Sequence, residues 1–190
     1  APHVTVYPSA TAVATAQHRA QEKKFFASCG VPVAPHAVIE RDSDLDALDA
    51  RLLPGILKTA TLGYDGLGQR RVNTLAGLRA AWHELKSVPC VLEQRLNLAT
   101  EISVIVARSA KGQARAFPVA ENQHRGGILA VSFLPARVDA ALAARAREAA
   151  LELARALDYV GVLCVEFFVL ADGTLVANEM APRVHNSGHW

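Results

Sequence analysis

The chain has 190 residues, 51% of them hydrophobic, enough to bury one sizeable core or two small ones. Its 20 basic and 18 acidic residues nearly balance and the basic ones are scattered, so neither a nucleic acid nor a membrane surface is expected as a partner. No apolar run approaches the roughly 18 residues of a membrane span, no signal-peptide pattern is found within the sequence, and Cys29, Cys90 and Cys164 lie far apart without a Cys-x-x-Cys pair, which points to reduced thiols in a cytoplasmic protein.

After an extended lead-in over residues 1–8, residues 11–29 read as one helix closed by Gly30. Arg19 and Lys23, four apart, share a face of it, as a solvated basic edge or as part of a ligand site. A short strand over 37–39 is followed by a helix over 42–53 through Leu45, Leu48 and Leu52, capped by Asp42-Ser43 and broken by Pro54-Gly55. Residues 56–59 are strand-like and place Lys58 at the mouth of a loop over 59–69 that contains Gly63, Gly66 and Gly68. The glycine spacing fits neither a dinucleotide fingerprint nor a Walker loop. The loop is either a phosphate lid, whose amides reach oxyanions where no Cβ intervenes, or a plain hairpin connection. A lysine in an apolar strand is costly unless it reaches an anion, and that favours the lid.

Residues 75–85 form a helix capped by Thr74, and 89–94 a buried strand ending in Glu93 and Gln94, which could face a ribose and base or form a hinge. Strands over 102–106, 114–119 and 128–133 follow, with Glu101 opening the first and 121–124 forming a polar link before Gly126-Gly127. His124 in that link reads on its own as a surface histidine. Asp139 caps a helix to about 157, whose stripe of Leu142, Ala146, Ala149, Leu153 and Leu157 is core.

Two apolar runs, 162–170 and 174–177, flank Asp172-Gly173, a turn signal that makes them an antiparallel hairpin. With those two residues as the loop, paired positions sum to 345, and Glu166 faces Glu179. Directly opposed residues lie about 5 Å apart at Cβ, where like charges repel unless neutralised. The pair is therefore two solvated edge carboxylates or a cation site, and oxygen-only ligands favour Mg²⁺ or Mn²⁺. Beyond it, residues 178–190 are rich in side chains that bind metals and oxyanions.

A strand-end lysine, a glycine loop, a strand closing on Glu-Gln and two opposed carboxylates together resemble an ATP-grasp module, and more closely the N5-carboxyaminoimidazole ribonucleotide synthetases. The likeness runs from Arg19 and Lys23 through Gly63-Tyr64-Asp65-Gly66, Glu121-Asn122-Gln123-His124 and Tyr159-Val160-Gly161 to the closing Ala-Pro-Arg-Val-His-Asn-Ser-Gly-His-Trp, which is its most specific part. The fold implied is α+β, two lobes with antiparallel sheets holding ATP between them. The lead-in occupies 1–15, the small lobe and hinge 16–98, and the large lobe 99–190.

The resemblance implies that Arg19 and Lys58 bind ATP phosphates with Lys23 beside them. Gly63, Tyr64, Asp65, Gly66, Gly68 and Gln69 would fold over those phosphates. Glu93, Gln94, Arg95, Leu96 and Glu101 would hold adenine and ribose, with His124 and Asn178 completing the pocket. Glu166 and Glu179 would carry Mg²⁺, with Mn²⁺ an alternative. Tyr64, Asp65, Arg183, His185 and Asn186 would meet bicarbonate, carboxyphosphate or aminoimidazole ribonucleotide. A homodimer of the full-length protein is implied as well.

Three departures qualify the likeness. Leu67 stands where such proteins have Lys or Arg, and segments expected before residue 1 and after Trp190 are not in the chain, which reads as a piece of a longer protein. Other readings are a biotin carboxylase-like or formate-using ligase, a nucleotide-binding module without catalysis, and a structural α+β domain. Ala181, where a biotin carboxylase would have Asn, speaks against the first.

Overall fold

The computed structural model describes residues 4–63 and 68–190. The chain opens with two helices, α1 (Ala10–Gln17) and α2 (Arg19–Ser28). The single helix expected over 11–29 is interrupted at His18, which is extended (φ −126°, ψ 105°). There the Arg19 N–H leaves the helical ladder and donates to the Ala60 carbonyl at 2.9 Å.

Four strands, β1 (His36–Ile39), β2 (Gly55–Thr59), β3 (Gln69–Val72) and β4 (Cys90–Gln94), form an antiparallel sheet in the order β1-β4-β2-β3. Its core gathers Ile39, Leu57, Leu78, Trp82 and Leu92. Two helices pack with it, α3 (Asp42–Asp46) and α4 (Leu75–Glu84), and Thr74 caps the second by accepting from Gly77 N–H at 3.1 Å. The helix expected over 42–53 stops at Asp46. Asp49 then accepts from Arg51 N–H at 2.9 Å and starts a separate 3-10 turn over Ala50–Leu52, so Leu45 and Leu52 reach the core from two elements instead of one.

The larger sheet contains β5 (Leu98–Arg108), β6 (Ala114–Ala116), β7 (Ala120–Arg125), β8 (Ile128–Phe133), β9 (Gly161–Leu170) and β10 (Leu175–Ala181). The order is β10-β9-β5-β7-β8, with β6 on β5. The long helix α5 (Ala140–Ala156) packs on it and is capped by Asp139, which accepts from Leu142 N–H at 2.8 Å. The polar link expected over 121–124 is part of strand β7. Its sequence hides this because its buried polar groups find partners: Asn122 bonds Ser103 and Ser132, and Glu121 pairs with Arg137. The core under this sheet includes Ile102, Val104, Leu153, Phe167 and, from α2, Phe26.

The β9–β10 hairpin places Glu166 opposite Glu179 as expected, by a different route. The loop is three residues, with Gly173 N–H donating to the Leu170 carbonyl and Leu170 N–H to the Thr174 carbonyl, both at 2.9 Å. This is a type I turn closed by a left-handed residue, and Gly173 supplies φ +79°. Pairs therefore sum to 344 from Leu175↔Val169 to Ala177↔Phe167, and a bulge at Asn178 moves the sum to 345 at Glu179↔Glu166. The two-residue loop was the wrong premise, and the bulge supplies the missing residue.

Candidate functional site

Alternation along β5 and β9 divides the large sheet into two faces. Ile102, Val104, Val165 and Phe167 turn to the core, whereas Ser103 pairs with Glu166, and Glu166 pairs with Glu179, in one row across β5, β9 and β10. Glu101, two residues before Ser103, shares that polar face.

Helix α2 adds the charges. Arg19, Glu22, Lys23 and Phe26 follow the i, i+3, i+4, i+7 spacing of one stripe, and that stripe faces inward. Phe26 is fully buried in the large core, Glu22 is 2% exposed and Lys23 is 1% exposed, so the solvated basic edge that Arg19 and Lys23 could have formed is not what the fold builds. Arg19 Nη1 meets Glu179 Oε2 at 3.0 Å, and Glu22 accepts from Met180 N–H at 2.6 Å, which ties α2 to β10 just beyond the bulge.

The small sheet contributes Lys58 and Glu93. Lys58 pairs with Val91 across β2 and β4, so Glu93, two residues on, lies diagonally on the same face. Glu93 is 3% exposed and is held between two lysines, with Oε2 accepting from Lys58 Nζ at 2.9 Å and Oε1 3.1 Å from Lys23 Nζ. A buried carboxylate with one cation on each oxygen is a cross-tie between β2, β4 and α2.

On the far side of the row, Glu166 is held from both oxygens: Asn178 Nδ2 donates to Oε2 at 3.3 Å and His185 Nε2 lies 3.2 Å from Oε1. His124 Nδ1 lies 3.0 Å from Glu101 Oε2. The protonation equilibria follow this geometry. Burial alone would raise Glu93, but Lys58 and Lys23 outweigh it and hold its carboxyl at about 2. Burial, reinforced by the neighbouring Glu179 charge, pushes Glu166 up to about 7. Glu179 itself is kept low because Arg19 overcomes the cost of burial. Burial lifts Glu22 to about 8 despite the Met180 N–H, lowers Lys23, and lowers His185 with help from Arg183, while the Glu101 contact raises His124.

Among the described residues no group of three His, Cys, Asp or Glu side chains is gathered for a metal. The oxygen donors at Glu166 and Glu179 are two opposed carboxylates and the neighbouring Asn178 Oδ1, which is buried and has no hydrogen-bond partner, with His185 Nε2 engaged on Glu166. Glu179 keeps 41% of its side chain exposed, so the pair is open on one side. Two carboxylates, an orphaned amide oxygen and access for water and phosphate fit Mg²⁺, which seldom takes an all-protein cage.

Ten of the residues expected in a site thus fall into one charged neighbourhood spanning both sheets: Arg19, Lys23, Lys58, Glu93, Glu101, His124, Glu166, Asn178, Glu179 and His185. Others point elsewhere. Gln94 donates to the Arg51 carbonyl, Arg183 is exposed and donates to the Val184 carbonyl, and Asn186 is exposed and accepts from Ser187 N–H. Arg95 is exposed, Leu96 is half-buried, and Gly68 and Gln69 lead into β3. Tyr64, Asp65 and Gly66, together with Leu67, lie outside the described residues. Sequence reasoning did not assign Glu22, Ser103, Asn122 or Ser187 to the site. Glu22 was legible from the α2 stripe once Phe26 marks it as the inner face, and Ser103 from its position two residues after Glu101.

An ATP-grasp domain model matches residues 24–190. The N5-carboxyaminoimidazole ribonucleotide synthase of Brucella melitensis is 47% identical over 188 residues, covering 97% of this chain and 52% of that protein. The crystal structure of the corresponding Thermus thermophilus synthetase superposes with a TM-score of 0.90 at 40% identity, covering 98% of this chain and 51% of that one. The Aspergillus clavatus synthase, crystallised with ADP and 5-aminoimidazole ribonucleotide, gives a TM-score of 0.89 at 31% identity, covering 98% and 49%. The chain spans about half the length of the curated relatives it matches. With a family model over most of its length and two sheets meeting at one charged cluster, the chain belongs to the ATP-grasp family.

Proposed function

We propose that the chain is the ATP-grasp core of a cytoplasmic, Mg²⁺-dependent ligase that carboxylates 5-aminoimidazole ribonucleotide with bicarbonate, giving N5-carboxyaminoimidazole ribonucleotide for purine synthesis. The observation that carries this reading is the Glu166–Glu179 pair opposed across β9 and β10 beside Arg19, in a cluster that continues through Lys23 and Glu93 to Lys58 on the other sheet. The relatives that match almost the whole chain at 31–47% identity supply the choice of substrates.

The small lobe then covers residues 16–98 and the large lobe 99–190, after a lead-in over 1–15. Helix α2, numbered with the small lobe, packs through Phe26 on the large core and links the two. Arg19 and Lys58 hold the phosphates, and residues 63–69 fold over them. Residues 93–96 and Glu101 meet the adenosine, with Glu93 committed to Lys23 and Lys58, and with His124 and Asn178 completing the pocket. Mg²⁺ held by Glu166 and Glu179 would neutralise charge on the transferring phosphoryl group. A bicarbonate oxygen attacks the γ-phosphorus, the bond to ADP breaks, and carboxyphosphate forms. The substrate amine then attacks its carbon, or the CO₂ it releases, and inorganic phosphate leaves. Tyr64, Asp65, Arg183 and Asn186 are assigned to this second half, with His185 beside them on Glu166.

The protein's part is positioning, electrostatics and exclusion of water, since carboxyphosphate would otherwise hydrolyse. The full-length protein, expected to be a homodimer, should release ADP only with bicarbonate present and faster with aminoimidazole ribonucleotide. Turnover indifferent to bicarbonate, or supported equally by formate, would sink the assignment.

A further inference from the structure

His185 is buried, and its ring nitrogens face different partners. Nε2 lies 3.2 Å from Glu166 Oε1. The Ser187 backbone N–H is shared between Asn186 Oδ1 at 3.0 Å and Nδ1 at 3.3 Å, and Nδ1 lies 2.9 Å from Ser187 Oγ. A backbone N–H can only donate, so Nδ1 presents its lone pair.

The hydroxyls give the same direction from the other end. Ser132 Oγ donates to Asn122 Oδ1 and Asn122 Nδ2 donates to Ser103 Oγ, both at 2.9 Å, and Ser103 Oγ donates to Ser187 Oγ at 2.8 Å. A serine hydroxyl has one proton. Ser103, which receives from Asn122, directs its own to Ser187, and Ser187 directs its own onward. Its choices are Nδ1 at 2.9 Å and Cys164 Sγ at 3.8 Å, and the nearer nitrogen is the stronger acceptor. Two donors thus converge on Nδ1. A neutral imidazole carries one proton, which leaves it on Nε2, facing the carboxylate.

We propose that the row Ser132, Asn122, Ser103 and Ser187 holds His185 as its Nε2–H tautomer, so that His185 donates to Glu166 and fixes that carboxylate's rotation. His185 is then a positioning residue for Glu166, and Ser103, Asn122 and Ser187 are positioning residues for His185. With Asn178 on Oε2 and His185 on Oε1, Glu166 has one donor on each oxygen and keeps a second lone pair on each for another ligand. The tautomer is independent of the function proposed above; only its consequence for a divalent cation rests on that reading.

The test is long-range ¹H–¹⁵N correlation of the histidine rings in the full-length protein, with His185 identified by the signal that disappears in His185→Gln. One neutral species protonated on Nε2 is the expected result, and an Nδ1–H ring or a mixture of tautomers overturns the proposal. Ser103→Ala leaves the groups around His185 and Glu166 in place but removes the donor to Ser187. It should expose an Nδ1–H fraction while retaining the fold, and an unchanged tautomer there overturns the row as its cause.

Mn²⁺ affinity measured with ADP present should fall by about 10-fold to 100-fold in His185→Ala, the range usual for lost outer supports of metal ligands. It should be largely kept in His185→Gln, whose amide N–H can take the Nε2 position. Equal loss in both overturns the donor role. Absence of Mn²⁺ binding in the unmodified protein counts against the metal site, while the ring spectrum still decides the tautomer.

Discussion

Glu93 is the residue on which the charged cluster closes, because among the described residues it alone contacts a lysine from α2 and a lysine from β2. Replacing it by Gln leaves Lys23 and Lys58 buried without a counter-charge, a change that costs about 3–5 kcal/mol in comparable buried pairs. The pH dependence has a definite sign. The folded-state pKa is depressed from 4.5 to about 2, so the pair's contribution is complete above about pH 4.5 and is lost as pH falls towards 2. Urea unfolding at pH 6 and pH 3 should show the unmodified protein losing more stability over that interval than Glu93→Gln does. Equal losses would mean that other carboxylates govern acid unfolding. The same residue shows where sequence reading reached its limit: a strand ending in Glu-Gln marked Glu93 as functional, but only the diagonal placement of Lys58 and the inward face of α2 disclose that its partners are lysines of the protein itself.

At the scale of elements, the β9–β10 hairpin and the turn after it aim the carboxylates. The opposition of Glu166 and Glu179 was legible from Asp172-Gly173, although the loop has three residues and the bulge at Asn178 compensates. Nothing in an unpaired sequence marks a bulge, since it is defined by the partner strand. Strand β7 was illegible for a related reason: polar residues make a buried strand only when their partners, here Ser103, Ser132 and Arg137, come from elsewhere in the chain. Two glycines test this architecture. Gly173 has φ +79° and open space where a Cβ would stand, so Gly173→Ala should cost only backbone strain, about 1–2 kcal/mol by thermal unfolding, with ATP turnover unchanged. A Cβ on Gly188 would instead sit 2.0 Å from Ile105 Cδ1. That atom is the tip of a half-buried side chain that can turn aside, so Gly188→Ala should cost about 1 kcal/mol of stability with turnover retained. A Gly188→Ala protein that lost its turnover while staying folded would show that the turn moves instead, and that its seat on β5 positions the site.

At the scale of the molecule, two apolar cores lie under two sheets, and charged residues from both sheets and α2 meet in one cluster. Most strands and helices and the opposition of Glu166 to Glu179 were legible because each rests on local signals, the strand and helix periods and the turn residues, whereas the two-lobed fold and the grouping of the charged positions came from the family resemblance; which charges neutralise one another was legible from neither, because that depends on packing between segments far apart in sequence. The arrangement leaves unbalanced demands that a ligand can meet. Glu166 and Glu179 repel across the hairpin, and Arg19 is held by Glu179, a carboxylate that a cation would compete for. Under the function proposed above, Mg·ADP would satisfy both demands at once, the metal on the carboxylates and the phosphates on Arg19 and Lys58. A ligand that binds only the folded state at one hundred times its dissociation constant adds about 2.7 kcal/mol of stability. Thermal unfolding of the full-length protein should therefore rise with Mg·ADP, and the rise should shrink sharply in Lys58→Met and in Glu179→Gln at the same ligand concentration. Because Lys58→Met also removes one of Glu93's two partners, the comparison is between each variant with and without ligand, not between variants. An undiminished rise in both would place the nucleotide away from this cluster, and a rise lost only in Glu179→Gln would assign the binding energy to the metal side, leaving Lys58 as a structural partner of Glu93.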